Sequence, residues 1–393
     1  MKIKINENFS RLQKKYLFSE IHDRVENFKA SAKGERIISL GIGDVSLPLS
    51  SAVADEMARA AKAMSRSDGF HGYGDTMGDP ILRKMIAERY LSRGVLLDSS
   101  EIFINDGSKS DLGNINDVLG ENDTVIFDPV YPVYLDSSII SGRRAHLVLA
   151  NRENNFLPTP EDIPKNISKK PLVIYICSPN NPTGAVFTKK MLKDWVDFAL
   201  ESGSLIIFDA AYESYITEPH IPHSIFEIEG AKSCAVEICS FSKSAGFTGV
   251  RCGWTAIASE NPIKTLWVRR QSTKFNGASY ISQRGAMAAL SKNGAYECTQ
   301  NVAYYLENAK MIAQALTKKG IFFTGGKNAP YIWMQCPNGM SSWSFFDALL
   351  NKAQIVGTPG VGFGNGGEGY FRLSAFNSRE NILEAIQRLN EFL

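Results

Sequence analysis

A chain of 393 residues, 44% hydrophobic and 21% charged, can bury a large core and exceeds one average domain, so two domains or one domain with a satellite are expected. Its 43 Lys and Arg against 41 Asp and Glu leave a net charge of +2, which gives no electrostatic reason to expect a nucleic-acid or membrane partner. No apolar run reaches the roughly 18 residues of a membrane span. The opening MKIKINENFS has no secretion-signal core, and Cys177, Cys234, Cys239, Cys252, Cys298 and Cys336 lack paired-ligand spacing; both predict a cytoplasmic protein with reduced thiols.

In chain order, residues 76–94 carry Ile81, Leu82, Met85, Ile86 and Tyr90 at helical spacing, with Arg83, Lys84, Glu88 and Arg89 between them, which predicts an amphipathic helix. Short apolar runs follow: EIFIND (101–106), TVIFDP (124–129), LVIYICSP (172–179), SLIIFDAAY (204–212) and CAVEICSFS (234–242). Each ends in a polar or Gly/Pro-rich turn, and helical stretches such as TKKMLKDWVDFALESG separate several of them. Strands this continuously apolar, alternating with helices, predict an α/β fold: a large domain over 45–280 with a mostly parallel sheet flanked by helices. A helix near 301–319, another around SSWSFFDALLNKAQ, the strand GYFRLSAF and a last helix predict a smaller α+β domain of 281–393, joined by residues 1–44.

In open parallel sheets, ligands bind beyond the carboxyl ends of the strands. Five such turns here carry chemistry. DGSKSD (106–111) offers small residues and amides opening a helix, suited to a phosphate. DPVYPVY (128–134) presents an aromatic ring, SPNNPTG (178–184) an amide, FDAAY (208–212) a carboxylate and a phenol, and SFSKSAGFTGVR (240–251) a lysine and an arginine. An aromatic face, an acid, a phosphate cradle and a lysine together fit pyridoxal phosphate. Its aldehyde needs an amine to hold it as a Schiff base, and its pyridine nitrogen needs an anion.

With these residues in place, the chain resembles the fold-type I aminotransferases from end to end: Asn181 in NPTG, Asp209 and Tyr212 in D-x-x-Y, Lys243, and Arg251 eight residues after it. The resemblance implies that Lys243 binds the cofactor and shuttles the substrate proton. It implies that Asp209 pairs with the pyridinium, Asn181 and Tyr212 donate to the ring oxygen, and Tyr131 stacks on the ring. Ser108, Ser240, Ser242 and Arg251 are implied to hold the phosphate, with Lys109 beside them, and Arg372 to hold the substrate α-carboxylate, a bidentate task suited to arginine. Tyr73 and Asn276 resemble residues that cross a dimer interface into the neighbouring site, which implies a homodimer with shared sites.

The runs LGIGDVSLPL, SFSKSAGFTGVRCGWT, KFNGAS and GGKNAPYIW resemble, more narrowly, the LL-diaminopimelate aminotransferase family. The implied reaction moves an amino group between LL-2,6-diaminopimelate and 2-oxoglutarate, tetrahydrodipicolinate plus glutamate giving LL-diaminopimelate and 2-oxoglutarate, in lysine biosynthesis. A second ammonium and carboxylate must then be recognised, and a site built to pair them rejects substrates lacking them. By the same resemblance Tyr16, Gly43 and Lys109 face the substrate, together with an acid from the other subunit. That acid is Asp68 here, where the family has glutamate, and loops near 143–150 and 257–264 are expected to be short. A transaminase for lysine or another ω-charged amino acid is the alternative. A ligand-sensing regulator on this fold is disfavoured, because no basic helix-turn-helix precedes it.

Three motifs are set aside. Gly362, Gly364 and Gly367 fit G-x-G-x-x-G but lead into a strand rather than a helix. Ser240 to Lys243 fits S-x-x-K with no K-T-G following. His220 and His223 flank Pro222, so no metal is expected on them.

Overall fold

The computed structural model describes residues 3–12, 17–31, 36–41 and 43–393. Its first strand, β1 (Ile38–Ser39), belongs with the C-terminal part of the chain and is taken up below. The next seven form one sheet: β2 (Ile102–Asn105), β3 (Asp123–Asp128), β4 (Ala145–Leu149), β5 (Leu172–Cys177), β6 (Leu205–Asp209), β7 (Ala235–Ser240) and β8 (Gly253–Ala256). Their order is β2-β8-β7-β6-β5-β3-β4. The pairs from β4 through β7 are parallel and β8 runs against both its neighbours. The carboxyl ends of β2, β3, β5, β6 and β7 therefore open on one edge.

Period-two alternation splits each strand between two cores. Leu172, Ile174 and Ile176 of β5 join one cluster with Trp195 and Phe187, while Val173, Tyr175 and Cys177 join the other with Tyr134 and Trp267. With both faces covered, every residue of β5 and β7 is buried, as expected for a sheet between helical layers. The helix Lys189–Ser202 turns Leu192, Trp195, Val196 and Ala199 inward at helical spacing, and Thr188 caps it by accepting from the Met191 N–H at 3.3 Å. In the helix Pro80–Leu91, Leu82, Ile86 and Tyr90 are buried, whereas Ile81, expected on the same face, is 60% exposed. The stretch 143–150, expected as a short loop, contains the edge strand β4. Its pattern is half-exposed, with Leu147 and Leu149 facing outward, so it lacks the continuous apolar signature of the inner strands.

A second sheet comprises β9 (Phe323–Gly325), β10 (Tyr331–Gln335), β12 (Thr358–Pro359) and β13 (Tyr370–Ser374), all antiparallel, in the order β12-β13-β10-β9. Between them in sequence, β11 (Ile355–Val356) pairs in parallel with β1. Helices Lys292–Lys318, Ser342–Ala353 and Arg379–Phe392 bury Ile312, Phe345, Phe346, Leu349 and Ile382 here, joined by Phe28, Ile38 and Leu40 from the N-terminal part of the chain. The helix Tyr280–Leu290 instead lends Ala286, Met287 and Ala289 to the large-sheet core. Among the described residues no helix is long and apolar enough to cross a membrane.

Candidate active site

At the shared strand edge lies a cavity of about 440 Å³. Asp209, the last residue of β6, forms its floor and is 4% exposed. Tyr134 donates to Asp209 Oδ2 at 2.5 Å, and the Ala211 N–H to Oδ1 at 3.0 Å. Burial pushes the Asp209 carboxyl up from its ordinary range, and these two donors oppose the shift.

Lys243 follows β7 in the short helix Phe241–Ser244, which starts with Ser240 Oγ accepting from the Ser242 N–H at 3.0 Å. Tyr215 donates to the Lys243 carbonyl at 3.0 Å, and the lysine amine reaches the Gly43 carbonyl. Burial pushes that amine down to about 8. The Asp44 carboxylate at the cavity wall opposes the shift, and Arg372 and Arg251 add to it. A lysine so desolvated is partly neutral near neutral pH, the state a nucleophile or base requires.

One end of the cavity is a cradle for an anion. Gly107 has φ +116°, and a Cβ there would meet Arg251 Nη2 at 2.2 Å. Only a glycine lets the guanidinium fold in over this turn. Asn105 Oδ1 accepts from the Gly107 N–H at 2.9 Å and holds the turn, while Ser108 opens the helix Ser108–Asn114 with amides that have no intrahelical partner. Arg251, itself at φ +64°, donates from Nη1 to Ser242 Oγ and to the Thr248 carbonyl, both at 3.3 Å. Ser240 lines the same end, and Lys109 stands exposed at the rim, its charge drawing down the half-buried Asp136 carboxyl that burial otherwise raises.

The side walls are aromatic. Tyr131 is half-buried, its ring edge-on to Tyr134 with centroids 5.9 Å apart. Tyr212 shares a 2.7 Å hydroxyl–hydroxyl contact with Tyr331. On β13, Arg372 is 1% exposed and lies between the Tyr331 ring at 4.3 Å and the Phe363 ring at 4.8 Å. Its Nη1 donates to Asn181 Oδ1 at 2.6 Å and its Nη2 to the Gly41 carbonyl at 2.7 Å, while Nε is buried with no partner among the described residues. Because Asn181 spends its oxygen on Arg372, its amide N–H₂ is what remains for a ligand.

Twelve of the expected residues, from Gly43 through Arg372, thus line one cavity. Tyr73 and Asn276 line a second one of about 590 Å³, where His71 stacks on Tyr280 at 3.9 Å and Tyr73 is 91% exposed. Asp68 is exposed outside both, paired with Arg66 at 3.2 Å. Tyr16 lies outside the described residues. Tyr134, Tyr331, Asp44 and Thr248 also line the first cavity and had no expected role. Tyr134 carried a signal, sitting three residues after Tyr131 where a helical turn places both on one side. Tyr331 lies in the run GGKNAPYIW, but nothing local points to its partner, which is 119 residues away.

The glycine motif 362–367 serves packing. Gly364 (φ +129°) sits so close to the Asp128 carboxylate that a Cβ would meet Oδ1 at 1.8 Å, and the Gly366 N–H donates to Asp128 at 3.1 Å. The Val130 N–H donates to the Phe363 carbonyl at 2.9 Å. These bonds fasten the turn after β3 to the segment that leads into Arg372.

The family profile described as Aminotransferase class I and II matches residues 35–389. An LL-diaminopimelate aminotransferase of Parabacteroides distasonis is 48% identical, over 99% of this chain and 99% of its own. One from Prochlorococcus marinus subsp. pastoris is also 48% identical, over 98% and 99%. Among solved structures, L,L-diaminopimelate aminotransferase from Chlamydomonas reinhardtii superposes with a TM-score of 0.93 at 40% identity, covering 100% of this chain and 99% of that one. A Thermus thermophilus aspartate aminotransferase mutant matches in fold, with a TM-score of 0.88 at 22% identity over 100% of both chains. With a profile spanning nearly its whole length and relatives this close, the chain belongs to the class I and II aminotransferases.

Proposed function

We propose that this protein is a pyridoxal 5′-phosphate-dependent aminotransferase that moves an amino group between LL-2,6-diaminopimelate and 2-oxoglutarate. The observation that carries the cofactor is the cavity itself: a desolvated lysine between a buried carboxylate and a cradle that a single Cβ at Gly107 would fill. The names of relatives 48% identical over nearly full length support the substrate.

When bound, pyridoxal phosphate supplies the electron sink for bonds at the substrate Cα. The chain's own residues do the rest. Arg251, Ser108, Ser240 and Ser242 would hold the phosphate, Tyr131 the ring face, and Asp209 the ring nitrogen, whose proton the carboxylate retains. Asn181 and Tyr212 would donate to the ring oxygen. Arg372, clamped by Asn181 and Gly41, would take the α-carboxylate and thereby aim Cα at Lys243, whose amine removes the Cα proton.

We place Gly43, Lys109 and Tyr16 along the rest of the substrate. In a homodimer, Tyr73, Asn276 and Asp68 would reach the neighbouring subunit's site. Residues 45–280 would form the cofactor domain, and 1–44 with 281–393 the smaller one. Asp68, one methylene shorter than glutamate, favours a second reading, a transaminase for lysine or another ω-charged amino acid. The test is a half-reaction: the loaded enzyme is mixed separately with LL-diaminopimelate, meso-diaminopimelate, lysine, glutamate and aspartate while its visible band is followed. Rapid bleaching by LL-diaminopimelate and glutamate alone supports the proposal. Bleaching led by lysine turns it to the second reading, and no bleaching by any donor refutes both.

A further inference from the structure

Tyr331 has no part in the function proposed above, yet it touches three elements of the cavity. Its hydroxyl lies 2.7 Å from that of Tyr212, the Arg372 guanidinium sits 4.3 Å from its ring centroid, and a Cβ at Gly43 would meet its oxygen at 2.5 Å. Its ring is 1% exposed, set at 69° to Tyr212 and edge-on to Phe376.

Between two hydroxyls one proton lies on the O···O line, so one phenol donates and the other accepts. The cation against the Tyr331 ring strengthens its O–H as a donor and weakens its oxygen as an acceptor. Burial pushes both phenols up, Tyr212 the more steeply, and Arg372 restrains Tyr331 more directly. If instead Tyr212 donated to Tyr331, it would have no proton left for a ligand.

We propose that Tyr331 is a positioning residue: its hydroxyl donates to Tyr212, which turns the proton of Tyr212 into the cavity, toward the ring oxygen of the cofactor. This rests on the pyridoxal phosphate reading. Two donors in series polarise each other, so the second is stronger than Tyr212 alone. Gly43 is part of the device, since any side chain there would displace the Tyr331 oxygen.

The test is the pH titration of the visible band in the loaded wild type, Tyr331→Phe, Tyr212→Phe and the double variant. In the loaded enzyme the titrating proton would be one that the Lys243 nitrogen holds toward the ring oxygen. A donor on that oxygen substitutes for this proton, so weakening the donor raises the midpoint. Tyr331→Phe keeps the ring and its contact with Arg372, and should raise the midpoint by about 0.5–1 pH unit, the worth of one hydrogen bond. In the Tyr212→Phe background the same change should do nothing further, because its path runs through Tyr212. No shift in the wild-type background, or an equal shift in both, overturns the proposal. Should Tyr331→Phe not take up cofactor, Gly43→Ala serves instead: it should raise the midpoint, and an unchanged midpoint overturns the proposal. A wild type without a visible band refutes the cofactor reading itself.

Discussion

The Tyr134 hydroxyl donates to Asp209 across 2.5 Å inside the large-sheet core, with the Tyr134 ring stacked on Tyr175 at 5.0 Å and 14°. Both partners are buried, so this bond holds one carboxylate oxygen while the other answers to the Ala211 amide. The carboxylate cannot turn away from the cavity.

Removing that donor should loosen the cofactor. For Tyr134→Phe, a lost hydrogen bond to a charged group, worth about 1.5–3 kcal/mol, predicts weaker pyridoxal phosphate binding by about tenfold or more. Reconstitution of the cofactor-free protein measures it. Turnover should fall while the Michaelis constant for the amino donor changes little, since Tyr134 bonds to Asp209 and Arg372 is held by Asn181 and Gly41 instead. Unaltered affinity and turnover would remove Tyr134 from this role.

Lys243 should be reactive at a pH well below that of a free lysine. With its amine pushed down to about 8, the rate of pyridoxal phosphate uptake by the cofactor-free protein should rise with pH and reach half its plateau near there, because the neutral amine is the nucleophile. Asp44→Asn removes the charge that favours the protonated form and should move that midpoint lower. Stopped-flow absorbance over pH 6–10, a range of about two units either side, tests both. A rise only near the free-lysine range would contradict the desolvated amine.

Arg372→Lys keeps the charge but gives up the planar fork that meets Asn181 and Gly41 together. The Michaelis constant should rise for every amino donor alike, by about 10- to 100-fold for one or two charge-assisted bonds. Steady-state kinetics with glutamate and with diaminopimelate decide it. A loss confined to one donor would place Arg372 elsewhere on the substrate.

Away from the cavity, Glu213 is buried between Arg89 and Arg93, both at 2.6 Å, with His223 at 3.5 Å. Against the upward push of burial, the two guanidinium groups and a hydrogen bond from His223 hold its carboxyl well below the ordinary 4.5. A depressed folded-state pKa means that the contribution is present above the unfolded value and is lost as pH falls through the folded one. Glu213→Gln should therefore cost about 3 kcal/mol at neutral pH, the low end for breaking a buried pair because both arginines keep some solvent. The deficit should shrink in acid, and urea unfolding at pH 7 and pH 3 compares the two.

What could be read beforehand followed the range of the signal. Strands β5, β6 and β7 are buried on both faces and almost wholly apolar, so the run alone marks them and their last residues mark the cavity. Asp209 and Lys243 were legible for that reason. The edge strand β4 and the four-residue β8 carry no such run. The helix expected near 301–319 spans Lys292–Lys318, since its first turns are mostly polar. The bonds from Tyr134 to Asp209 and from Tyr331 to Tyr212 join residues 75 and 119 positions apart. No local pattern encodes such a meeting; the first exists only once the large sheet is assembled and the second only once both sheets are.

The fastening of Asp128 to Gly366 and of Val130 to Phe363 has a further consequence. It ties the turn that carries Tyr131 to the segment that carries Phe363, and Phe363 packs on Arg372. Under the proposed function, the platform for the ring and the grip on the carboxylate would thus share one alignment at this corner. A change in the glycine segment should disturb both and penalise all substrates together.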